Sequence, residues 1–561
     1  MKSGRRRGVG WLRHVPPVCW LMEYRAAWLG GDLVAGVTLA AYAVPVSLAY
    51  AGLAGLSPQV GIYGYLLGGL GYALLGSSRQ LAIGPTSAIS LMIAGSVGAM
   101  AEGDAARYGQ IASLAAFAVA LLCLISWLLR LSMLVRLISD SILVGFKAGA
   151  GLTIMMTQLP SLFGVAGGGN NFFERAVLFA GQVGETQFLV LALGVAAILL
   201  LLVGERFAPG KPIGLAVVAL SIVAASAFGL ADLGVPTTGA VPAGLPSLEG
   251  PALRLRDVEG IFPLAVGCLL LAYIESVSAA RTFATKHGYT LDPRQEFLGI
   301  GAANLAAALG HGYPVAGGLS QSAVNDMAGA RTPLALIFAS FTLALCLLFL
   351  TGVLANLPKA VLAAVVLTAV YGLLDVPALV RMWRISRMDF YAAAIALGAV
   401  LLFGILQGIL LAGLASILML LARASQPHIA FLGRVPGTNS YSDLARHPEN
   451  EELHNVIAFR PEASLLYVNA DSVAEAVLER LQVSSNIRLV VCDLSASPYV
   501  DLAGSRVLHR LHDELASRGI MLRIVGARGR VRDLLRADGI AEKTSGVERI
   551  VTLDSLLGGG S

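Results

Sequence analysis

The stretch LAIGPTSAIS, residues 81–90, lies in an apolar segment and contains an adjacent glycine and proline. Gly84 and Pro85 interrupt a continuous helix, because proline lacks the backbone N–H that a helix interior needs. Thr86 or Ser87 can then cap a new helix, since a side-chain oxygen at that position accepts from a free backbone N–H. The pattern predicts a broken segment with a helix start in its interior.

A second stretch, HGYPVAGGLSQS at residues 311–322, has the same character. Pro314 and two adjacent glycines precede Ser320, which can cap a short helix ending near Gly329. The two stretches belong to the third and tenth of about fourteen apolar segments, so they occupy corresponding positions in two halves of seven. Matched Gly/Pro-interrupted segments are typical of inverted-repeat transporters that bind substrate near the middle of the bilayer.

The physical chemistry of two facing helix starts favours an anion. A helix start presents unpaired N–H groups and the positive end of the helix dipole, and this combination binds negative charge. Four hydroxyls near these starts could add donors: Thr86, Ser87, Ser320 and Ser322. The alternative is that both interruptions are packing kinks without a ligand.

The composition divides the chain into two parts. Of its 561 residues, 56% are hydrophobic and 13% are charged, and the mean hydropathy is +0.74. A soluble domain carries about 25% charged residues. We therefore expect a cytoplasmic N-terminal segment at 1–32, a transmembrane anion transport domain at 33–422, a linker or start of the tail at 423–454, and a soluble domain at 455–557.

Fourteen segments are candidates for membrane helices, each of which needs about 20 mostly apolar residues. Three are less regular, at 80–101, 296–310 and 317–330. The regular ones lie at 33–56, 60–76, 110–129, 137–160, 186–203, 212–231, 259–280, 334–355, 358–374, 388–403 and 404–422.

The loops between these segments carry their positive charge unevenly. With a cytoplasmic N-terminus, the cytoplasmic loops hold twelve Lys and Arg residues and the opposite loops hold five. Because positive charge favours the cytoplasmic side, both termini are predicted to be cytoplasmic. Compact loops and the lack of a recognisable signal peptide favour a bacterial inner membrane. The five residues on the opposite side are Arg107, Arg175, Arg254, Arg256 and Lys359.

Two charged residues lie inside predicted membrane segments. Glu275 is in the eighth segment, and an intramembrane carboxylate is costly enough to suggest a function. Glu275 could carry a proton together with the anion. The positive charge of the proton would offset part of the negative charge that is moved against a negative-inside membrane potential. The alternative is a structural brace between helices. Lys147, in the fifth segment, is expected to snorkel or to form a local pair.

Several other kinds of site have no support in the sequence. The five cysteines show neither a CxxC motif nor metal-ligand spacing, so no disulfide and no metal site are predicted. The net charge is +5, and no basic stripe is interleaved with aromatic residues, so nucleic-acid binding is not expected. Because Walker, dinucleotide-binding and nucleophile-elbow motifs are absent, we predict no enzyme activity and no cofactor beyond a coupling H⁺ or Na⁺.

The tail alternates strand and helix patterns from Asn455 onwards. Strands are predicted at 456–459, 465–469, 487–494 and 521–526. Helices are predicted at 472–482, 503–518 and 531–537. This alternation is typical of an α/β layer fold.

Several motifs occur in order along the membrane part: PVSLAYAGLAG at 45–55, PQVGIYG at 58–64 with GSSR at 76–79, GPTSAIS at 84–90, and PVAGGLSQSA at 314–323 with GART at 329–332. With them, the chain resembles the SulP anion transporters, the family that includes prestin and pendrin. The tail resembles the STAS domain that ends these transporters, through CDLSASPYVDLAG at 492–504. The resemblance covers nearly the whole chain.

The resemblance implies an all-α polytopic membrane domain of about fourteen segments in a seven-plus-seven inverted repeat, divided into core and gate and followed by a C-terminal α/β STAS domain. It also implies a homodimer among membrane lipids and an elevator-like movement of the core. A small inorganic or organic anion would bind between the starts of helices three and ten. Carried over by position, the site contains Tyr50, Thr86, Ser320 and Gln321, with Glu275 at the position linked to coupling. The full candidate set for substrate binding is Tyr50, Thr86, Ser87, Ser320, Gln321 and Ser322.

Three positions depart from the family pattern. Val46 stands where the family often has glutamine, which removes a polar contact. Gln321 stands where vertebrate members often have a basic residue, which suggests a weaker fixed positive field and coupled transport rather than exchange. Ala503 replaces a serine that is phosphorylated in related soluble domains, so that switch is not expected. Three other serines could substitute without any one being favoured: Ser495, Ser497 and Ser505.

The sequence therefore predicts a secondary active transporter of sulfate, bicarbonate or a small dicarboxylate, coupled to protons or sodium. One alternative is an uncoupled anion exchanger or channel on the same scaffold, against which Glu275 argues. Another is a membrane-tethered module that senses an anion and signals through its tail to a cytoplasmic protein partner. A nucleobase transporter is disfavoured because the eighth segment offers no evident partners for a base edge.

Overall fold

The computed structural model describes residues 20, 24–131, 139–169, 171–207, 213–251, 254, 257–484, 486–549 and 551–557. The chain divides into two compact units, one ending at Ser416 and one beginning at Ile417. The first unit is helical apart from two very short strands, and the second combines a five-stranded sheet with helices.

Each of the fourteen predicted membrane segments contains a helix. Two further helices, Phe172–Gln182 and Val376–Ile385, lie between these segments and are amphipathic. The elements up to the end of the membrane part are α1 (Leu29–Leu53), α2 (Pro58–Leu75), β1 (Ile83–Gly84), α3 (Ser87–Ala101), α4 (Ala105–Leu128), α5 (Asp140–Phe163), α6 (Phe172–Gln182), α7 (Phe188–Phe207), α8 (Ile213–Ala227), α9 (Val258–His287), α10 (Pro293–Leu309), β2 (Ala316–Gly317), α11 (Leu319–Met327), α12 (Leu334–Phe349), α13 (Thr351–Leu354), α14 (Lys359–Tyr371), α15 (Val376–Ile385), α16 (Arg387–Phe403) and α17 (Ile405–Ser425).

Helix lengths show which of these elements could span a bilayer alone. By length and composition, six helices of the described chain could do so, or seven if a pair bent by 117° counts as one span. The helices α3 and α11 are short because each begins in the interior of its segment, as the Gly/Pro interruptions predict. Large apolar side chains such as Leu128 and Phe341 are exposed, as expected of surfaces that face lipid.

Glycines allow several helices of the first unit to approach backbone to backbone. A Cβ at Gly145 of α5 would overlap the carbonyl oxygen of Ala393 in α16. A Cβ at Gly71 of α2 would likewise overlap the carbonyl oxygen of Ala302 in α10. Small residues at these positions therefore allow the helices to pack closely.

Two buried carboxylates in the first unit fasten segments that are distant in sequence. Glu296 accepts hydrogen bonds from the hydroxyl of Tyr72 at 2.9 Å and from the hydroxyl of Ser77 at 2.6 Å. Asp32 accepts from the backbone N–H and the hydroxyl of Thr332, at 3.0 and 2.7 Å. Because these oxygens are occupied by internal donors, both carboxylates serve as braces.

The second unit is built on a mixed sheet with strand order β4-β3-β5-β6-β7, whose strands are β3 (Ile429–Arg434), β4 (Tyr441–Asp443), β5 (Val456–Pro461), β6 (Leu489–Asp493) and β7 (Met521–Val525). β4 and β5 pair antiparallel to β3, whereas β5, β6 and β7 are parallel. A core of buried apolar residues, including Phe459, Val490 and Leu508, packs between this sheet and the helices. The helices of the second unit are α18 (Ala470–Gln482), α19 (Leu502–Ser517), α20 (Gly529–Ala537), α21 (Ile540–Lys543) and α22 (Leu553–Leu557).

One strand predicted in the tail is wrong. Residues 465–469 form no strand, and Leu465 makes only an isolated bridge with Val500. The side-chain oxygen of Asn469 accepts from the backbone N–H of Leu466, which closes a turn leading into α18. The apolar alternation of this segment therefore reflects burial of Leu465 in the core, not pairing along a sheet. The strands β3 and β4, for which no elements were predicted, join the sheet through β5.

Candidate functional site

The two interrupted stretches meet in the structure. β1 and β2 pair antiparallel, with Ile83 opposite Gly317 and Gly84 opposite Ala316. α3 and α11 each begin within three residues of this ladder, so both helix starts lie at one place. The predicted convergence of the third and tenth segments is confirmed.

Two of the predicted binding residues hold the ladder in place. The amide nitrogen of Gln321 donates to the carbonyl oxygens of Ala82 and Ala316, at 3.0 and 3.1 Å. The hydroxyl of Ser322 accepts from the backbone N–H of Ala82 at 2.9 Å and donates to the carbonyl of Gly318 at 2.7 Å. Both side chains are buried, so they connect the backbones of the two stretches.

A cavity of about 190 Å³ lies at the two helix starts. Five of the six predicted binding residues and Glu275 line it, whereas Ser322 does not. The lining residues are Pro85, Thr86, Ser87, Gly318, Leu319, Ser320 and Gln321 at the helix starts, Tyr42, Val46 and Tyr50 on α1, Lys147 on α5, Glu275, Ser278 and Ala279 on α9, and Ala369, Gly372 and Leu373 at the end of α14. We call this space the anion cavity, after the ligand that the sequence predicts for it.

Neither helix start is closed by a side-chain cap. Thr86 occupies the N-cap position of α3 as predicted, but its side chain makes no capping hydrogen bond. Its hydroxyl is buried, has no hydrogen bond of normal geometry and lies beside the carboxyl of Glu275. The prediction that Ser320 caps α11 is wrong, because extended Gly318 takes that position and Ser320 faces the cavity. The first N–H groups of both helices therefore have no side-chain acceptor.

Lys147 and Glu275 bring opposite charges to the anion cavity. Both side chains line it, and they lie close enough to interact electrostatically. Lys147 therefore lines the same cavity as Glu275, and a direct ion pair between the two groups stays a prediction. With both groups ionised the pair has no net charge, and protonation of the carboxyl leaves one positive charge in the cavity.

Some residues of the cavity wall were not predicted from the sequence. Tyr42 lines the anion cavity together with Val46 and Tyr50. These residues are spaced by four along α1, so they share one face of the helix, and that spacing could have identified Tyr42. α14 contributes only small and apolar groups, such as Ala369 and Leu373, and no sequence signal marks them as cavity residues.

In the second unit, the turn that resembles a phosphorylated motif is tightly hydrogen-bonded. Asp501 caps α19 by accepting from the backbone N–H of Gly504 at 2.7 Å. Ser497 is buried and donates to backbone carbonyls, and Ser505 is buried and donates to Asp538 at 2.7 Å. Of the three serines considered as alternatives to the missing phosphorylation site, only Ser495 is exposed.

Comparison with known proteins gives consistent matches along the chain. Residues 29–396 match the model of the Sulfate permease family, and residues 447–551 match that of the STAS domain. A probable sulfate transporter of Mycobacterium tuberculosis is 34% identical over 535 residues, which is 95% of each chain. Low affinity sulfate transporter 3 of Stylosanthes hamata is 30% identical, and the match covers 97% of this chain and 89% of that transporter.

Solved structures share the fold. The murine Slc26a9 anion transporter in the inward-facing state has a TM-score of 0.88 at 21% identity, covering 99% of this chain and 96% of its own. The transmembrane domain of the cyanobacterial bicarbonate transporter BicA has a TM-score of 0.60 at 20% identity, covering 70% of this chain and 98% of its own. The helical unit followed by a mixed-sheet domain is therefore a known transporter architecture, with which the predicted seven-plus-seven repeat is consistent.

Proposed function

This chain belongs to the sulfate permease family of anion transporters, and we propose that it is a proton-coupled symporter of sulfate, bicarbonate or a small dicarboxylate. The observation that carries the proposal is the anion cavity between two uncapped helix starts. Two sets of free N–H groups directed at one space favour an anion without a metal. At about 190 Å³ the cavity is smaller than the roughly 300 Å³ minimum of drug-sized ligand sites, which favours a small solute.

The Lys147–Glu275 pair supports coupling to a proton. An anion that enters beside an ionised carboxylate is repelled, whereas an anion beside a protonated carboxyl and an ammonium group is attracted. Proton and anion would therefore bind together, and each would raise the affinity for the other. Sodium is the alternative coupling ion, and it would require an ionised Glu275.

The hydrogen bonding around the ladder supports an elevator-like movement. Gln321 and Ser322 tie the starts of α3 and α11 into one block, so the helix starts would move together. α5 and α14 line the other side of the anion cavity and would form the gate. In this proposal the protein is a homodimer in a bacterial inner membrane, with cytoplasmic termini and a STAS domain available to a cytoplasmic protein partner.

Uptake of radiolabelled sulfate, bicarbonate and fumarate into proteoliposomes tests the proposal, with a proton gradient, a sodium gradient or neither. We expect accumulation above equilibrium of at least one anion when the interior is alkaline. If only a sodium gradient drives accumulation, sodium and not the proton is the coupling ion. Uptake that never exceeds equilibrium would favour an exchanger or channel, and a lack of any anion flux would favour a sensor.

A further inference from the structure

A second cavity, of about 480 Å³, is lined mainly by four helices that also line the anion cavity. α1, α3, α5 and α14 contribute residues to both. On α5 the lining passes from Lys147 to Thr157, which is about 15 Å along a helix axis. On the antiparallel α14 it passes from Leu373 at the end of the helix to Lys359 at its start. The two cavities therefore lie at successive positions along α5 and α14.

The charge of the second cavity differs from that of the first. Arg175 and Lys359 line it, together with hydroxyl and amide groups, and no acidic residue of the described chain does so. Lys359 is exposed and forms no ion pair with any described residue. Arg175 uses its Nε to donate to the carbonyl of Gly169 at 3.0 Å, which leaves its terminal nitrogens available. The cavity thus carries about two positive charges without a compensating carboxylate.

The position of these cations is unusual for a membrane protein. Arg175 and Lys359 are two of the five Lys and Arg residues predicted to lie on the side opposite the cytoplasm, where positive residues are disfavoured. Arg107, another of the five, is neutralised by Asp257 at 2.9 Å. The absence of such a partner in the second cavity suggests that its charge serves a ligand.

We propose that the second cavity is an anion-capture site that binds a divalent oxyanion such as sulfate before it reaches the anion cavity. Two fixed positive charges match a dianion, and a concave site lined by one sign of charge raises the local concentration of its counter-ion. The larger volume suits an anion that keeps part of its hydration shell. This inference rests on the proposed function, since it assumes that anions pass between these helices.

Sulfate uptake by the double variant R175Q/K359Q tests the site. We expect the sulfate concentration for half-maximal uptake to rise about tenfold, with a smaller rise for a monovalent anion and a similar maximal rate. The dependence of uptake on ionic strength should also weaken. The variant R175K/K359R keeps both charges and should behave as the wild type. R254Q removes an exposed positive charge from a loop on the same predicted side and should have no effect.

Equilibrium dialysis of the full-length protein with radiolabelled sulfate gives a readout that does not depend on transport. We expect two sulfate sites in the wild type and one in R175Q/K359Q. A single site in the wild type, or an unchanged half-maximal concentration in the double variant, would overturn the capture site while leaving the transport proposal intact. Failure of the wild type to transport any anion would instead count against the proposed function.

Discussion

Ile83 lies directly opposite Gly317 in the two-residue ladder that joins β1 to β2. These residues belong to the two halves of the membrane part, so the ladder brings the halves together at the anion cavity. Its backbone is supported from a third element, because the hydroxyl of Ser276 in α9 accepts from the N–H of Gly317 at 2.8 Å. This hydrogen bond ties the ladder beside both helix starts to α9.

Gly84 should not tolerate a side chain. A Cβ there would overlap the ring of Tyr65, so Gly84→Ala must displace either the ring or the start of α3. We expect a loss of stability of about 1–3 kcal/mol and reduced sulfate uptake. The control is Gly95→Ala in the interior of α3, where no atom lies within 4 Å of the added carbon. Thermal unfolding in detergent measures the stability of both variants, and sulfate uptake into proteoliposomes measures their activity. Equal stability and uptake in the two variants would refute the prediction.

Glu275→Gln should abolish proton-driven accumulation and preserve downhill anion flux, because the glutamine cannot exchange a proton. Uptake measured as a function of pH, with and without a proton gradient, checks this. The matched control is Glu296→Gln, which removes another buried carboxylate whose partners are Tyr72 and Ser77. It should lower stability by about 2 kcal/mol without changing the pH profile. If Glu275→Gln keeps the wild-type pH profile, Glu275 is not the coupling group.

Lys147→Gln should weaken anion binding about tenfold, since it removes the only cation that lines the anion cavity among the described residues. The double variant Lys147→Gln/Glu275→Gln should lose less than the sum of the single effects, because the remaining charge of each single variant lacks its partner. The sulfate concentration for half-maximal uptake is measured for the wild type, both single variants and the double variant, which together form a double-mutant cycle. Additive effects would show that the two charges act independently.

Ser320 and Ser322 should separate binding from folding, although they are two residues apart. Ser320→Leu places a bulky apolar group in the anion cavity and should raise the half-maximal anion concentration with little effect on stability. Ser322→Ala leaves the backbone N–H of Ala82 without its partner and should cost about 1–3 kcal/mol of stability. Uptake and thermal unfolding of both variants provide the comparison, and the reverse pattern would contradict the assigned positions.

Asp443 should make the STAS sheet sensitive to acid. Burial raises the pKa of Asp443, but hydrogen bonds from His428 at 2.8 Å and from the backbone N–H of Ala445 outweigh it, so its net pKa is below the ordinary value. Ionised Asp443 therefore stabilises the folded domain at pH values above its unfolded pKa of about 3.9. This stabilisation is lost as the pH falls through the lower pKa that Asp443 has in the folded state.

Hydrogen exchange of the β3 and β4 amides in the full-length protein measures this effect. Asp443→Asn should reduce protection at neutral pH by about 1 kcal/mol or less, because His428 is half exposed. The difference from the wild type should shrink in acid, where the aspartate is also neutral. A constant difference at every pH would show that the charge of Asp443 is not involved.

The sequence pattern predicted the broken segments and most of the polar residues that line the anion cavity. It could not show which hydroxyl faces the cavity and which one stabilises the backbone. Ser320 and Ser322 look equivalent as donors near a helix start, yet only Ser320 faces the cavity. In a helix, residues two apart point to different sides, and the position of the helix start decides which side is inward. Glu296 was missed for a related reason, since its brace to Tyr72 depends on two segments that only the fold brings together.

The sequence by itself determined the membrane and soluble parts, the fourteen segments and the two interrupted helices, because hydropathy, glycine and proline act locally along the backbone. The tertiary structure alone decided that Lys147 faces Glu275, that Gln321 and Ser322 hold the ladder, and that Arg175 shares a cavity with Lys359. These relationships join residues far apart in the chain, and their distances are set by how helices pack against one another.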